Sequence, residues 1–207
     1  DDEYHGMGGP LSVQKSSREN DELLDVFVEA GQQAGIPFTK DFNGKSQEGV
    51  SRYEHTIRGS KRCSAARGYL HPALKRKNLL AETNVTVDRV EFEGKKAVGV
   101  SFSKKGKSFT VRANKEVILS AGALNSPQIM LRSGVGPADE IKPHGLEVVH
   151  ELAGVGQNLQ DHIGVVSQFE CTQPVTLHRS AVWWRTQLAG IQYLFFGKGD
   201  ASFPPTA

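Results

Sequence analysis

The sequence predicts a mixed α/β chain, α+β overall, from three observations. Residues 84–112 alternate apolar and polar side chains in runs parted by turn signals at Gly94 and Gly106, the pattern of a small antiparallel meander. Directly after it, Val117, Ile118 and Leu119 form a short unalternated apolar run, as a strand buried on both faces would. Two stretches, 19–35 and 179–196, carry apolar residues at helical spacing.

The 207 residues allow one large domain or two small ones, and the 22 glycines and 9 prolines point to a loop-rich fold. Mean hydropathy of −0.39 suits a globular protein. The 25 basic and 23 acidic residues nearly cancel, which argues against a nucleic-acid partner. Two cysteines, Cys63 and Cys171, make neither a disulfide framework nor a thiolate metal site. No apolar run approaches the roughly 18 residues of a membrane span. The chain starts without Met and stops where no domain obviously closes, so it reads as an internal piece of a longer protein.

In chain order, residues 4–13 form a glycine-rich turn running into a short strand at 11–13. The 19–35 helix is capped by Asn20 or Asp21 and stopped by Gly35, and Leu23, Leu24, Phe27, Val28, Ala30 and Ala34 give it a core-facing stripe. Residues 37–50 are an irregular connection around the turn signal Asp41-Phe42-Asn43-Gly44. Residues 51–58 alternate loosely as a strand, and 59–62 are a loop with exposed positive charge. Ser64 caps a helix over 65–70 that continues a second turn after Pro72. Strands are expected at 84–92, 97–102 and 108–112, with turns at Gly94 and Gly106. Beyond Pro137 follow a short helix at 138–142, a brief strand at Val148-Val149, and a polar, turn-like loop from Gly154 to His162. A strand with one wet face at 164–172 and the 179–196 helix, whose aromatics read as core, close the chain.

The most informative stretch runs V-I-L-S-A-G-A-L-N-S-P-Q-I-M-L-R-S-G-V-G-P from Val117 to Pro137. After the apolar run come Ser120, Ala121, Gly122 and Ala123, where a ligand can approach the backbone closely. Asn125 or Ser126 then caps a helix with Pro127 in its first turn; Ile129, Met130 and Leu131 form its apolar face, and Ser133-Gly134 ends it. A bare turn before a helix N-terminus suits an anionic, flat-bodied ligand. Spacing alone does not separate this from an ordinary strand–turn–helix.

Other chemistries find little support. No G-x-S-x-G elbow is present, the seven histidines show no ligand pair on one helix, and no metal site is expected. Gly134-Val135-Gly136 and Gly154-Val155-Gly156 each begin a dinucleotide fingerprint that neither completes. Trp183 and Trp184 are adjacent, hence about 100° apart on a helix, and make a poor cage for a quaternary ammonium.

The 117–137 stretch resembles the second signature of the glucose-methanol-choline (GMC) oxidoreductases, FAD-dependent enzymes acting on alcohols. The likeness extends through Y-H-G-M-G-G-P-L-S-V, R-C-S-A-A-R-G-Y-L-H-P-A-L-K-R-K-N-L-L, N-V-T-V-D-R-V-E-F-E-G-K-K-A-V-G-V and V-G-Q-N-L-Q-D-H. P-V-T-L-H and Y-L-F-F-G-K-G are most similar to the choline dehydrogenase branch.

The resemblance implies part of an FAD-binding Rossmann-like domain with a β-meander (60–165) and part of an antiparallel-sheet substrate domain (1–59 and 166–207). FAD is the implied cofactor, and an alcohol, choline-like first, the implied donor; the electron acceptor and oligomeric state stay open. Val87 falls where the family backbone contacts the FAD adenine, and Ala121 and Gly122 where it approaches the ADP half. Asn158, Asp161 and His162 match the family's loop near the flavin, although Asp161 accepting backbone N–H groups would explain that loop equally well. The family's G-x-G-x-x-G segment and first signature have no counterpart here. The catalytic His of the family is expected beyond Ala207, so no catalytic residue is assigned. The isolated chain is then expected to be inactive; a truncated, non-catalytic protein is the alternative, and an oxidase or a lyase of the same family a third. A choline dehydrogenase-like protein would be cytoplasmic or peripheral to a membrane.

Overall fold

The fold is given by a computed structural model, which describes residues 3–15, 22–173, 175–176 and 182–197. It is mixed α/β and divides into two compact units, one of Asp1–Leu80 with Ser167–Ala207 and one of Ala81–Val166.

The first unit is built from short elements. β1 (Gln14–Lys15) pairs antiparallel with β2 (Glu54–His55), so the strand lies just past the expected 11–13. The expected strand at 51–58 is split, because β3 (Ile57–Arg58) turns back at Gly59 (φ +61°) to pair with β4 (Lys61–Arg62). The expected basic loop at 59–62 is thus the turn and one arm of a hairpin.

Ser64 Oγ accepts the Arg67 N–H at 3.3 Å, as a cap should, over a π-helical turn (Ala66–Leu70) that runs into α2 (His71–Ala73). Buried Cys63 anchors the glycine-rich turn: its Sγ accepts the Ser12 N–H (3.4 Å) and lies 3.6 Å from the Pro10 carbonyl oxygen.

α1 (Glu22–Gln33) ends before Gly35, whose φ of +90° few other residues adopt. Its proposed caps, Asn20 and Asp21, lie outside the described residues. The core-facing expectation fails, since none of its residues is buried and Phe27 is 71% exposed. Only Leu24, Val28 and Gly31 are half-covered, with Gly31 closest to Val50. α5 (Trp183–Phe196) departs in the same way: of the aromatics expected in a core, Trp183, Trp184 and Phe195 are exposed and Tyr193 is half-buried. Its described attachment is the Tyr193 hydroxyl, which donates to the Ser60 carbonyl at 3.0 Å. The expected strand at 164–172 does not form, and Phe169 is 92% exposed. Alternation makes a strand only where another backbone pairs with it, and no described residue does.

The second unit is organised by the meander β5 (Thr86–Glu93), β6 (Lys96–Lys104) and β7 (Lys107–Arg112), antiparallel in the order β5-β6-β7. Glu93 pairs with Lys96 across Gly94 (φ +60°), and Lys104 with Lys107 across Lys105 and Gly106 (φ +51° and +74°), the two-residue turns that hairpins prefer. In the central strand, a Cβ on Gly99 would sit 2.3 Å from the Val111 carbonyl oxygen, so glycine is required there.

α3 (Gly122–Arg132) packs on β5 and stops at Ser133 and Gly134 (φ +83°). β8 (Val135–Gly136) follows and pairs in parallel with β9 (His150–Glu151), two residues past the strand expected at Val148-Val149. Between them, α4 (Ala138–Ile141) continues as a 3₁₀ turn closed by Gly145 (φ +70°). Val90, Val98, Ile129, Val135, Ile141 and Val155 form the core of this unit.

The run 117–119 is not the buried strand that its composition predicts. It forms no strand, Ile118 is 74% exposed, and no described backbone group pairs with it. A strand buried on both faces needs neighbours on both sides. Here Val117 and Leu119 instead line an apolar cleft of about 370 Å³ with Val90, Phe92, Met130 and Val135.

Candidate functional site

The site is set by how α3 begins. Asn125 and Ser126 do not cap it, and Pro127 is not in its first turn: the helix starts at Gly122, and Pro127 lies inside it. Ser126 reaches back instead, its Oγ accepting the Ala121 N–H at 3.0 Å. That reverse contact satisfies an amide just ahead of the helix and outweighs the preference of proline for the first turn. Gly122 has φ +85°, and a Cβ built there meets nothing within 4 Å, so the space beside it is open. The first amides of α3 have no intrahelical acceptor, and they carry the positive end of the helix dipole. Pro127 has no N–H for the Ala123 carbonyl, which therefore lacks its usual donor four residues on.

A cleft of about 570 Å³ lies along this part of the helix, walled by Ala123, Leu124, Ser126, Pro127 and Met130 on one side and by Gly154 to Gln160 on the other. The loop wall is held in place rather than draped. Val155 is buried and its N–H donates to the Leu152 carbonyl (3.2 Å). Gln157 Nε2 donates to Glu140 Oε1 of α4 at 2.8 Å. Gly156 and Asn158 both take positive φ, +79° and +56°, the latter in the left-handed region that Asn tolerates better than most residues. No residue lining the cleft titrates, so it offers shape, amides and carbonyls, and no acid or base of its own.

The residues singled out from the sequence are distributed unevenly about this cleft. Asn158 lines it. Ala121 and Gly122 precede its first lining residue and are exposed. Asp161 and His162 follow its last one; Asp161 Oδ1 accepts the His162 N–H at 2.8 Å, a local contact of the kind weighed above. Val87 lies in β5, half-buried and paired with Phe102, next to a register shift before Arg89, and does not line the cleft.

Sequence reasoning missed Leu124, Pro127 and Gln157 as walls and Glu140 as the partner that fixes the loop. Pro127 and Gln157 were inside quoted motifs; nothing near Glu140 in sequence marks its role. Trp184 carries the Arg185 guanidinium 4.9 Å from its ring centroid, so that face already meets a cation of this chain.

Comparison with known proteins gives the arrangement its context. The GMC oxidoreductase family model matches residues 2–164. "Oxygen-dependent choline dehydrogenase 1" of Chromohalobacter salexigens is 48% identical over 198 residues, covering 95% of this chain and 35% of that protein. The mitochondrial choline dehydrogenase of Homo sapiens is 50% identical over 198 residues, covering 95% of this chain and 33% of that protein. Among solved structures, an FAD-dependent oxidoreductase from Chaetomium thermophilum is similar with a TM-score of 0.81 and 26% identity, over 95% of this chain and 35% of that one. The pyridoxine 4-oxidase of Mesorbium loti is similar with a TM-score of 0.72 and 35% identity, over 76% of this chain and 31% of that one. The chain thus spans about a third of the length of the curated relatives it matches. With its cleft, its signature and these likenesses taken together, the chain belongs to the GMC oxidoreductases, an FAD-dependent family, and is related within it to the choline dehydrogenases.

Proposed function

We propose that this chain supplies one wall of the FAD site of an alcohol-oxidising GMC enzyme, with a choline-like alcohol as the donor. The observation that carries the reading is the convergence of the α3 N-terminus with the 154–160 loop on one cleft. Both segments lie in motifs that resemble the family's, and they come from separate parts of the chain.

The residues fit the cofactor. Ala121, Gly122 and Ala123 keep side chains out of the way, and the Gly122 Cβ position is open. The α3 amides suit a negatively charged group. Asn158 brings a carboxamide to the opposite wall, and Asp161 and His162 extend the loop beyond it. Val87, on the meander, is assigned to the adenine end by the family position alone. When bound, FAD supplies a two-electron acceptor for hydride from the alcohol carbon. This chain's part is to bind and orient, since no acid or base lines the cleft.

The compact unit Ala81–Val166 supports assigning most of 60–165 to the flavin domain, with 1–59 and 166–207 assigned to the substrate domain. Residues 60–80 pack with the first unit. The unpaired apolar 117–119 run supports an extra strand beside it from elsewhere in a longer protein. The same exposure favours the isolated 207-residue polypeptide being inactive.

The test is to purify the full-length protein, record its flavin spectrum, and follow flavin bleaching without oxygen as choline and other primary alcohols are added. A bound flavin bleached fastest by choline is expected. A full-length protein with no flavin, taking up none on reconstitution, would overturn the site. A flavoprotein that choline does not reduce would overturn only the substrate.

A further inference from the structure

Three side chains far apart in sequence meet in the first unit: His5 from the glycine-rich turn, Asp41 from the irregular connection, and Glu54 from β2. Each offers one ligand atom, and the three atoms lie within 4.8 Å of one another; no other such group occurs among the described residues. His5 Nε2 and Asp41 Oδ2 are already 3.2 Å apart. We propose that these residues form a binding site for a divalent first-row transition-metal cation, with zinc as the best fit.

Two bonds of about 2.0–2.2 Å at a tetrahedral angle separate neighbouring ligand atoms by roughly 3.4 Å. The His5–Asp41 pair matches that spacing as it stands. Glu54 offers its carboxylate within 4.8 Å of both, and rotation about its two side-chain methylenes can bring it to the same spacing. The donor set also selects the metal. One imidazole with two carboxylates suits zinc or a neighbouring transition metal, whereas calcium and magnesium take oxygen ligands alone.

The other oxygen of Asp41, Oδ1, accepts the Asn43 N–H at 2.8 Å, which fixes the carboxylate and leaves Oδ2 for a ligand. Such outer contacts orient metal ligands. All three residues are half-buried, so an ion could enter from solvent and keep a water in its remaining position. The consequence would be mechanical: one ion would tie the first turn of the chain to the 39–50 connection and to β2. Asp41 and Glu54 lie on segments that the β1–β2 pair and the Phe38–Val50 bridge hold only briefly. Ligand spacing on a single helix, the signal sought in the sequence, does not detect a site assembled from three segments.

The experiment is calorimetric titration of zinc into the full-length, tag-free protein after chelator treatment, beside His5→Ala, Glu54→Gln and the distant control His144→Ala. One equivalent is expected, with affinity unchanged in His144→Ala. Loss of an outer-shell partner alone costs about 10–100-fold in metal affinity, so His5→Ala and Glu54→Gln should each weaken binding at least tenfold. Magnesium should not compete. Absence of binding, or binding that both ligand variants leave intact, overturns the site. Circular dichroism of each variant separates ligand loss from misfolding; if His5→Ala misfolds, the near-isosteric Glu54→Gln in the two-residue strand β2 decides. The flavin spectrum is read in parallel and should not change, so this result stands or falls apart from the proposed activity.

Discussion

The hydroxyl of Ser133 accepts the backbone N–H of Val90 at 2.8 Å, and both residues are buried. The same oxygen donates to the Ile129 carbonyl at 2.5 Å, so one side chain closes the end of α3 and clamps the helix to β5. Ser133→Ala would leave a buried amide without an acceptor. Such a group costs about 1–3 kcal/mol, more than the net value of an ordinary hydrogen bond. Urea unfolding of the chain should show a loss in that range, with near-wild-type secondary structure before the transition.

Gly134 sits where the chain leaves α3 for β8, and two constraints meet there. Its φ is +83°, and an added Cβ would lie 2.3 Å from the Glu147 carbonyl oxygen. Its own carbonyl accepts the N–H groups of Val149 (2.8 Å) and His150 (3.1 Å), so a shift to relieve the clash would loosen the β8–β9 pair. Gly134→Ala should therefore destabilise by more than about 1 kcal/mol. Gly145→Ala has a similar φ of +70° but meets nothing within 4 Å, and should cost less. Parallel urea melts test the order; equal losses would show that φ alone matters.

The Glu91 carboxyl is held below its ordinary value of 4.5, first by the Arg89 side-chain hydrogen bond (3.1 Å) and then by Ser101. A lowered folded value means that this stabilisation is fully present above about pH 4.5 and fades as pH falls through the lowered value. Arg89 is more than half exposed, so the coupling should be below about 1 kcal/mol. A double-mutant cycle with Arg89→Ala and Glu91→Gln should give a small favourable coupling near about pH 7 that shrinks toward zero near about pH 3. A coupling that grows on acidification would reverse the assigned sign.

What the sequence made legible was local chemistry. Gly94, Lys105 and Gly106 take positive φ in two-residue turns, so the meander could be read with its strand bounds and turns nearly right. Gly35, Gly134 and Gly145 likewise marked where helices stop. What failed was pairing at a distance. Nothing within residues 117–119 or 164–172 says whether another backbone lies alongside, and among the described residues none does. The start of α3 was misplaced because the reach of Ser126 back to Ala121 competes with a proline preference of similar size. At the cleft, Asn158 stands in a motif that the sequence displays, while Glu140, which fixes the loop through Gln157, carries no sequence signal.

The sharpest test of the cofactor wall is a substitution that the fold tolerates and the ligand does not. Ala121 has φ −88°, a value open to any residue, and it is exposed, so leucine there needs no backbone change. Its effect on unfolding should stay within about 0.5 kcal/mol, the usual range for surface positions. In the full-length protein, the added side chain would fill the space beside Gly122, where a bound dinucleotide is proposed to approach the backbone. Displacing a close contact of this kind should weaken flavin retention by tenfold or more, about 1.4 kcal/mol. The measurement is the flavin-to-protein absorbance ratio after gel filtration, read beside a urea melt of the same preparation. Full flavin content in a stably folded Ala121→Leu protein would remove Ala121 from the wall. Loss of flavin with an unchanged melt would tie the cofactor to the start of α3.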